Sequence, residues 1–241
     1  MGMGLGAGLC AGQVAAFTPA SIAGLQLWLK ADAGTFQDSG LTTPASADGN
    51  PVGGWVDQSS AGNNATQATA GLRATLKLNI QNSKPVIRFG GTQWLGLSGL
   101  TLTDHTIFFV IKDTTTGSSQ GILGRNADLN SYFLLAGTSR QGNYWDGTNN
   151  PAIASVFPSP DAFALVESNR TSTTWRVFKN GTQVGTDQTV LSNSLTGTAI
   201  GNANGIIMSA DVGEIVAYNS YLSAGNFTLV RNYLNGRWSL F

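Results

Sequence analysis

The side chains best suited to chemistry are few in this sequence, and they are scattered. It holds two glutamates, Glu167 and Glu214, one histidine, His105, and one cysteine, Cys10. Glycoside hydrolysis needs two carboxyls flanking the scissile bond, one acting as acid and the other as base or nucleophile. Glu167 and Glu214 lie far apart in the chain and share no local motif. Glu214, within Gly213-Glu-Ile-Val-Ala-Tyr218, reads instead as a hydrogen-bond acceptor at a strand end. His105 precedes an apolar run and reads as a turn histidine without a serine nucleophile to serve. One histidine and one cysteine cannot supply the usual ligand set of zinc. The expectation is therefore a protein that binds or builds, and not an enzyme.

Two constellations remain. Calcium takes oxygen ligands from Asp, Asn and backbone carbonyls. Asp57, Asn63 and Asn64, in Trp55-Val-Asp-Gln-Ser-Ser-Ala-Gly-Asn-Asn-Ala-Thr66, offer such a set, as do Asp104, Asp128 and Asp211. The same residues are ordinary turn formers, so calcium is the single cofactor left open. The second constellation is Gly142-Asn-Tyr-Trp-Asp-Gly-Thr-Asn-Asn150, which puts Tyr144 and Trp145 beside Asp146. As a loop it would stack a sugar on an aromatic face and hydrogen-bond its hydroxyls. As a strand it would send Trp145 into the core and end in an Asp-Gly turn.

Many short strands would have to position these residues. Leu25–Lys30 alternates apolar and polar residues, the period of a half-buried strand. Further strands are expected near 85–89, 93–97, 106–111, 121–124, 132–135, 143–145, 163–168, 174–179, 182–184, 195–201 and 212–218. Gly, Asn, Asp and Thr clusters separate them, which points to a sandwich. Asn180-Gly181 between two alternating runs is a type I′ hairpin signal. Trp28, Trp55, Trp94 and Trp175 fall within strand patterns and are expected in or near the core. The end of the chain is helical: Ser223 caps it, Phe227, Val230 and Leu234 share a face, and Gly236 is placed to stop it.

Only 11% of the 241 residues are charged, and 13 basic residues balance 13 acidic ones. That balance lacks the basic excess that phosphate neutralisation requires, so no nucleic-acid partner is expected. No apolar run approaches the length of a membrane span. Residues 1–16 alternate glycine with small or apolar residues, and no Lys or Arg precedes Lys30, so the charged start of a signal peptide is missing. Glycine-rich chain is costly to order, so something must hold it in place. The division expected is a docking arm over 1–20, with Met1, Met3, Leu5, Leu9 and Val14 as its contacts, followed by one domain over 21–241.

Taken in order, several pieces resemble the laminin-G-like, concanavalin A-like jelly-roll domains found in bacteriophage virion and bacterial surface proteins. They are Leu25-Gln-Leu-Trp-Leu-Lys-Ala-Asp32, the Trp55–Thr66 segment, Lys84-Pro-Val-Ile-Arg-Phe-Gly-Gly91, Phe178-Lys-Asn-Gly181, Gly213–Asn219 and Tyr233-Leu-Asn-Gly-Arg-Trp238. The resemblance implies an all-β, two-sheet antiparallel sandwich with one short C-terminal helix and an extended N-terminal arm. It also implies that a glucanase of this fold would carry Glu-x-Asp-x-x-Glu on one strand, which this chain lacks. Two roles follow as expectations. The first is a structural virion protein, a capsid decoration or tail component held to other virion proteins or to its own copies by the arm. The second is an adhesion module for cell-surface glycans, extracellular or on a bacterial surface.

Overall fold

The computed structural model describes residues 16–115, 119–124, 132–136, 141–156, 162–192 and 194–241, with 132–136 described by backbone alone. The arm contacts Met1, Met3, Leu5, Leu9 and Val14 lie outside these residues, as does Asp128. Among the described residues, two nine-stranded antiparallel sheets make up the body, with a two-stranded ribbon of Asn202–Ala203 and Ile206–Ile207 beside them.

The first sheet runs Thr182–Thr189, Thr174–Lys179, Ala164–Thr171, His105–Asp113, Ser209–Tyr218, Lys84–Gly90, Ala74–Gln81, Pro51–Val52. Leu25–Lys30 joins it beside the second half of Ser209–Tyr218, with Trp28 opposite Val216. The second sheet runs Ala152–Ile153, Gln141–Trp145, Tyr132–Ala136, Gln120–Gly124, Leu195–Ile200, Leu95–Leu102, Ala65–Thr66, Gly54–Trp55, Thr35–Phe36. One apolar core draws Leu27, Ile87, Ile107 and Ile215 from the first sheet and Trp55, Leu100, Ile122 and Leu195 from the second. The expected two-sheet antiparallel sandwich is thus what the chain forms.

A third layer lies on the outside of the first sheet. Helix α1 (Ala224–Trp238) places Phe227, Val230, Leu234 and Trp238 against Trp28, Phe108, Val110, Leu165 and Val216. The central strand His105–Asp113 is therefore covered on both faces. That is why Thr106-Ile-Phe-Phe-Val-Ile111 is a continuous apolar run with no alternation. Ser223 caps the helix as expected, its Oγ accepting from the Asn226 amide at 3.3 Å. Gly236 does not stop it: the helix continues to Trp238, and Ser239 takes the left-handed terminal conformation at φ 51°. Burial of Trp238 outweighs the low helix propensity of glycine here. Gly213 makes that burial possible, because a Cβ on it would lie 2.6 Å from the Trp238 ring.

The Asn180-Gly181 hairpin has the expected positive φ at both central residues, 50° and 79°. Ala74–Gln81 is a strand that is not among those expected, although Ala74, Leu76, Leu78 and Ile80 alternate with polar residues. Residues expected in the arm are partly fixed to the body. Phe17 meets Tyr233 edge-on at 6.2 Å, and the Pro19 carbonyl accepts from the Tyr218 hydroxyl at 2.9 Å.

Candidate functional site

The Asp57, Asn63 and Asn64 cluster forms, with the Asp57 carboxylate and Asn64 Oδ1 accepting hydrogen bonds from the protein itself. Asp57 Oδ1 accepts from the Trp28 and Ser59 amides, and Oδ2 accepts from Ser59 Oγ and the Asn63 amide. Asn64 Oδ1 accepts from the Asp57 amide, and Asn63 Nδ2 donates to the Gln26 carbonyl. With Gln58 N donating to the Trp28 carbonyl, this loop seals the outer edge of Leu25–Lys30. In this arrangement the three residues shape a turn, with four donors around the Asp57 carboxylate. Asp211 is likewise committed, to a bidentate pair with Arg88, and Asp104 accepts from the Ser172 amide.

Tyr144, Trp145 and Asp146 do not form an exposed platform. Tyr144 is fully buried, its ring packed against Trp175 and stacked on His105. Asp146 is also buried, and its carboxylate organises the next turn by accepting from the Thr148, Asn149 and Leu191 amides. Burial works to raise its pKa, but those bonds hold it below the ordinary carboxylate value. Trp145 is half-buried against Ala203 and Ile206. These residues end a strand and enter an Asp-Gly turn, with the Tyr144 ring in the sandwich core and Trp145 in a separate small cluster.

His105 is not a turn residue. It opens its strand and is fully buried beside Arg170. Burial first, then the Arg170 charge, pushes its imidazole down to about 3. Gly117-Ser-Ser-Gln-Gly121 does fit the Gly-x-Ser-x-Gly spacing. However, Ser119 leads into the Gln120–Gly124 strand and not from a strand into a helix, the context a nucleophile elbow requires.

Both glutamates sit on the outer face of the first sheet, sealed beneath α1. Glu214 takes four donors: Trp28 Nε1 at 2.7 Å, Tyr233 hydroxyl at 3.0 Å, Trp238 Nε1 at 2.9 Å and Arg237 Nε at 3.1 Å. It is the acceptor expected from sequence, though in the centre of the helix interface and not at a strand end. Burial, with the Glu214 charge beside it, pushes the Tyr233 phenol far up. Glu167 is held by Arg231, with Nε at 2.9 Å and a terminal nitrogen at 2.7 Å. Burial raises the Glu167 pKa, and Arg231 opposes that rise.

Beside this second pair the surface opens into a cavity of about 350 Å³. Phe178, Tyr221, Leu222, Phe227, Thr228 and Arg231 line it. Its position follows from local structure. The Asn180-Gly181 turn ends the strand carrying Phe178, the 219–223 segment crosses the sheet carrying Tyr221, and the capped start of α1 supplies Phe227. Tyr221 is 42% exposed, which is unusual for so large an aromatic ring and leaves it free to meet a ligand. Phe227 links the aromatics, with centroids 5.9 Å from Phe178 and 6.1 Å from Tyr221. The Arg231 guanidinium lies over both phenylalanines at 4.9 and 4.7 Å, and Arg176 lies 5.9 Å from the Tyr221 ring. None of this was expected from sequence. Phe227 reads as part of the apolar helix face and Phe178 as part of a hairpin strand, and the contact of Tyr221 with Arg176 crosses from one element to another.

Chemically, the cavity offers aromatic faces, guanidinium donors and a threonine, and among the described residues its lining holds no carboxylate or imidazole. That lining suits retention of a ligand.

No family model matches the chain, and no curated protein matches it in sequence. Solved structures do match in shape. The binding domain of Paraclostridial Mosquitocidal Protein 1 superposes with a TM-score of 0.60 at 11% identity, over 90% of this chain and 53% of that one. Trypanosoma rangeli sialidase superposes with a TM-score of 0.54 at 16% identity, over 90% of this chain and 33% of that one. The same sialidase in complex with sialic acid gives 0.52 at 14%, over 90% and 34%. The chain thus spans about half or a third of the length of these structures, and at such identities the likeness is one of fold: a β-sandwich.

Proposed function

We propose that this chain is a non-catalytic carbohydrate-binding module whose ligand lies in the cavity at the N-terminal half of α1. The observation that carries the reading is the exposed Tyr221 ring at that cavity, backed by Phe227 and flanked by two arginines. An aromatic face beside hydrogen-bond donors gives a sugar both a stacking surface and partners for its hydroxyls. The shape shared with a binding domain and with a sialidase solved with sialic acid is in keeping with such a role. Both glutamates are buried under α1, so neither can reach a glycosidic oxygen in this cavity. The setting that goes with this reading is a cell surface or extracellular one. A virion role rests on the arm over 1–20 as its tether, most of it outside the described residues, and on the charge-poor sequence, whereas the carbohydrate reading has a surface in the described fold.

The test is a glycan array followed by NMR titration of the hits. Tyr221→Ala is expected to remove binding while the melting temperature changes little, because the ring is substantially exposed. Absence of binding by the unaltered protein, on the array and at millimolar sugar, would sink the proposal.

A further inference from the structure

One polar side chain outside the cavity lining, on a strand beneath it, has no partner in the fold as it stands. Asn169 is fully buried, and neither its Oδ1 nor its Nδ2 has a hydrogen-bond partner. Buried amides are nearly always paired, so a side chain of this kind keeps its full capacity for a partner. Its place is fixed by register. On Ala164–Thr171 it stands directly between Thr106 on one neighbouring strand and Arg176 on the other. It shares the outer face with Glu167, two residues earlier, which holds Arg231 of the cavity lining.

The 221–222 segment spans it. The Leu222 amide donates to Thr106 Oγ1 at 3.1 Å on one side, and the Tyr221 ring meets Arg176 on the other. Tyr221 and Leu222 are also cavity wall. The orphan amide thus lies behind the wall formed by the most exposed aromatic ring of the site.

Charge narrows the ligand class. Arg231 is neutralised by Glu167, and Arg176 is paired with Asp187 at 2.7 Å. Neither guanidinium is left as an unbalanced cation to attract an acid.

We propose that the Asn169 carboxamide is the polar floor of this site and that the ligand is a neutral sugar with two adjacent hydroxyls. One hydroxyl donates to Oδ1 and the other accepts from Nδ2, once the Tyr221 ring swings off the amide to stack on the bound sugar. This rests on the carbohydrate reading above and adds to it both a ligand class and a specificity-determining residue.

The experiment titrates the methyl glycosides of glucose, galactose and mannose, with sialyllactose as the acidic comparison, into ¹⁵N-labelled full-length protein. The expected result is binding of at least one neutral glycoside, with the Asn169 side-chain NH₂ signal among those that shift. Asn169→Leu, close in volume, is expected to weaken that binding at least tenfold while leaving the melting temperature unchanged or raised, since it removes two unpaired polar atoms. Neutral binding that Asn169→Leu leaves intact would overturn the inference and spare the carbohydrate reading, as would binding of sialyllactose alone. A clear fall in the melting temperature of Asn169→Leu would also overturn it, by showing that the amide already has a structural partner. Binding of none of these sugars, together with a blank array, would remove both.

Discussion

Helix α1 covers two buried carboxylates on one face of the first sheet, and its two halves treat them differently. The C-terminal half closes over Glu214. Two indoles, a phenol and a guanidinium fill its oxygens, and Asp32 takes another nitrogen of Arg237 at 2.7 Å. The N-terminal half gives Glu167 one guanidinium, leaves Asn169 without partners, and opens into a cavity walled by an exposed tyrosine. The same helix on the same sheet thus builds one saturated end and one unsaturated end. Departures from full polar satisfaction are expected where a structure keeps capacity for a ligand, which is why the open end is read as the site.

The largest effect should come from breaking the closed end. Glu214→Ala takes the acceptor from four donors at once, two of them buried indoles, while the half-buried Arg237 keeps Asp32, and should cost about 5 kcal/mol. Urea unfolding would show it, and a loss below about 1 kcal/mol would mean that solvent replaces the carboxylate and the end is not closed.

The open end should respond less, and reversibly. Arg231→Met leaves Glu167 buried without its guanidinium and should cost about 3 kcal/mol at neutral pH. Replacing both partners, Glu167→Leu with Arg231→Met, should recover most of that loss, because no charge is then left buried. The matching pair Glu214→Leu with Arg237→Met should not recover, since Trp28, Tyr233 and Trp238 would still hold unpaired donors. The pH dependence has a definite sign. Burial already raises Glu167 above the ordinary carboxylate value, and loss of Arg231 raises it further. A carboxyl raised in the folded state stabilises below its unfolded pKa and loses that stability as pH rises through the folded one. The Arg231→Met deficit should therefore shrink as pH falls toward 4.5, the unshifted value. It must be measured against the unaltered protein at each pH. His105, neutral and buried, takes stability from both proteins as pH drops from 6.5 toward 3, and the subtraction cancels it.

The contrast also marks what the sequence can disclose. Strand periodicity, the Asn180-Gly181 turn and the Phe227, Val230, Leu234 stripe depend on neighbours in the chain, and all are legible there. So is the strand Ala74–Gln81, whose alternation is as regular as that of Leu25–Lys30. The site depends on contacts between distant elements and is not legible. Tyr144-Trp145-Asp146 has the residue types of a sugar site, yet Tyr144 lies on the inner face of the sandwich, and no local pattern tells inner from outer. Tyr221 and Asn169 carry no pattern at all. They come together only because a strand register sets Asn169 between Thr106 and Arg176.

The smallest effect tests whether the two halves are independent. Ser223 is the hydroxyl that caps the open end, and its loss should cost about 1 kcal/mol, the usual value for an N-cap. That cost should fall unevenly. Hydrogen exchange of the amides of Asn226 and Phe227 should quicken, because those groups lie in the first turn and depend on the cap. Leu234 to Trp238 should exchange as before, because Glu214 fixes that end through three residues of the helix. Sugar affinity, if Phe227 backs Tyr221 as the geometry requires, should drop in Ser223→Ala in step with the loosened first turn. Uniformly faster exchange along α1 would show instead that the helix opens as one unit. The saturated end would then be setting the rigidity of the site as well, and the division between a closed half and a working half would be one of chemistry only.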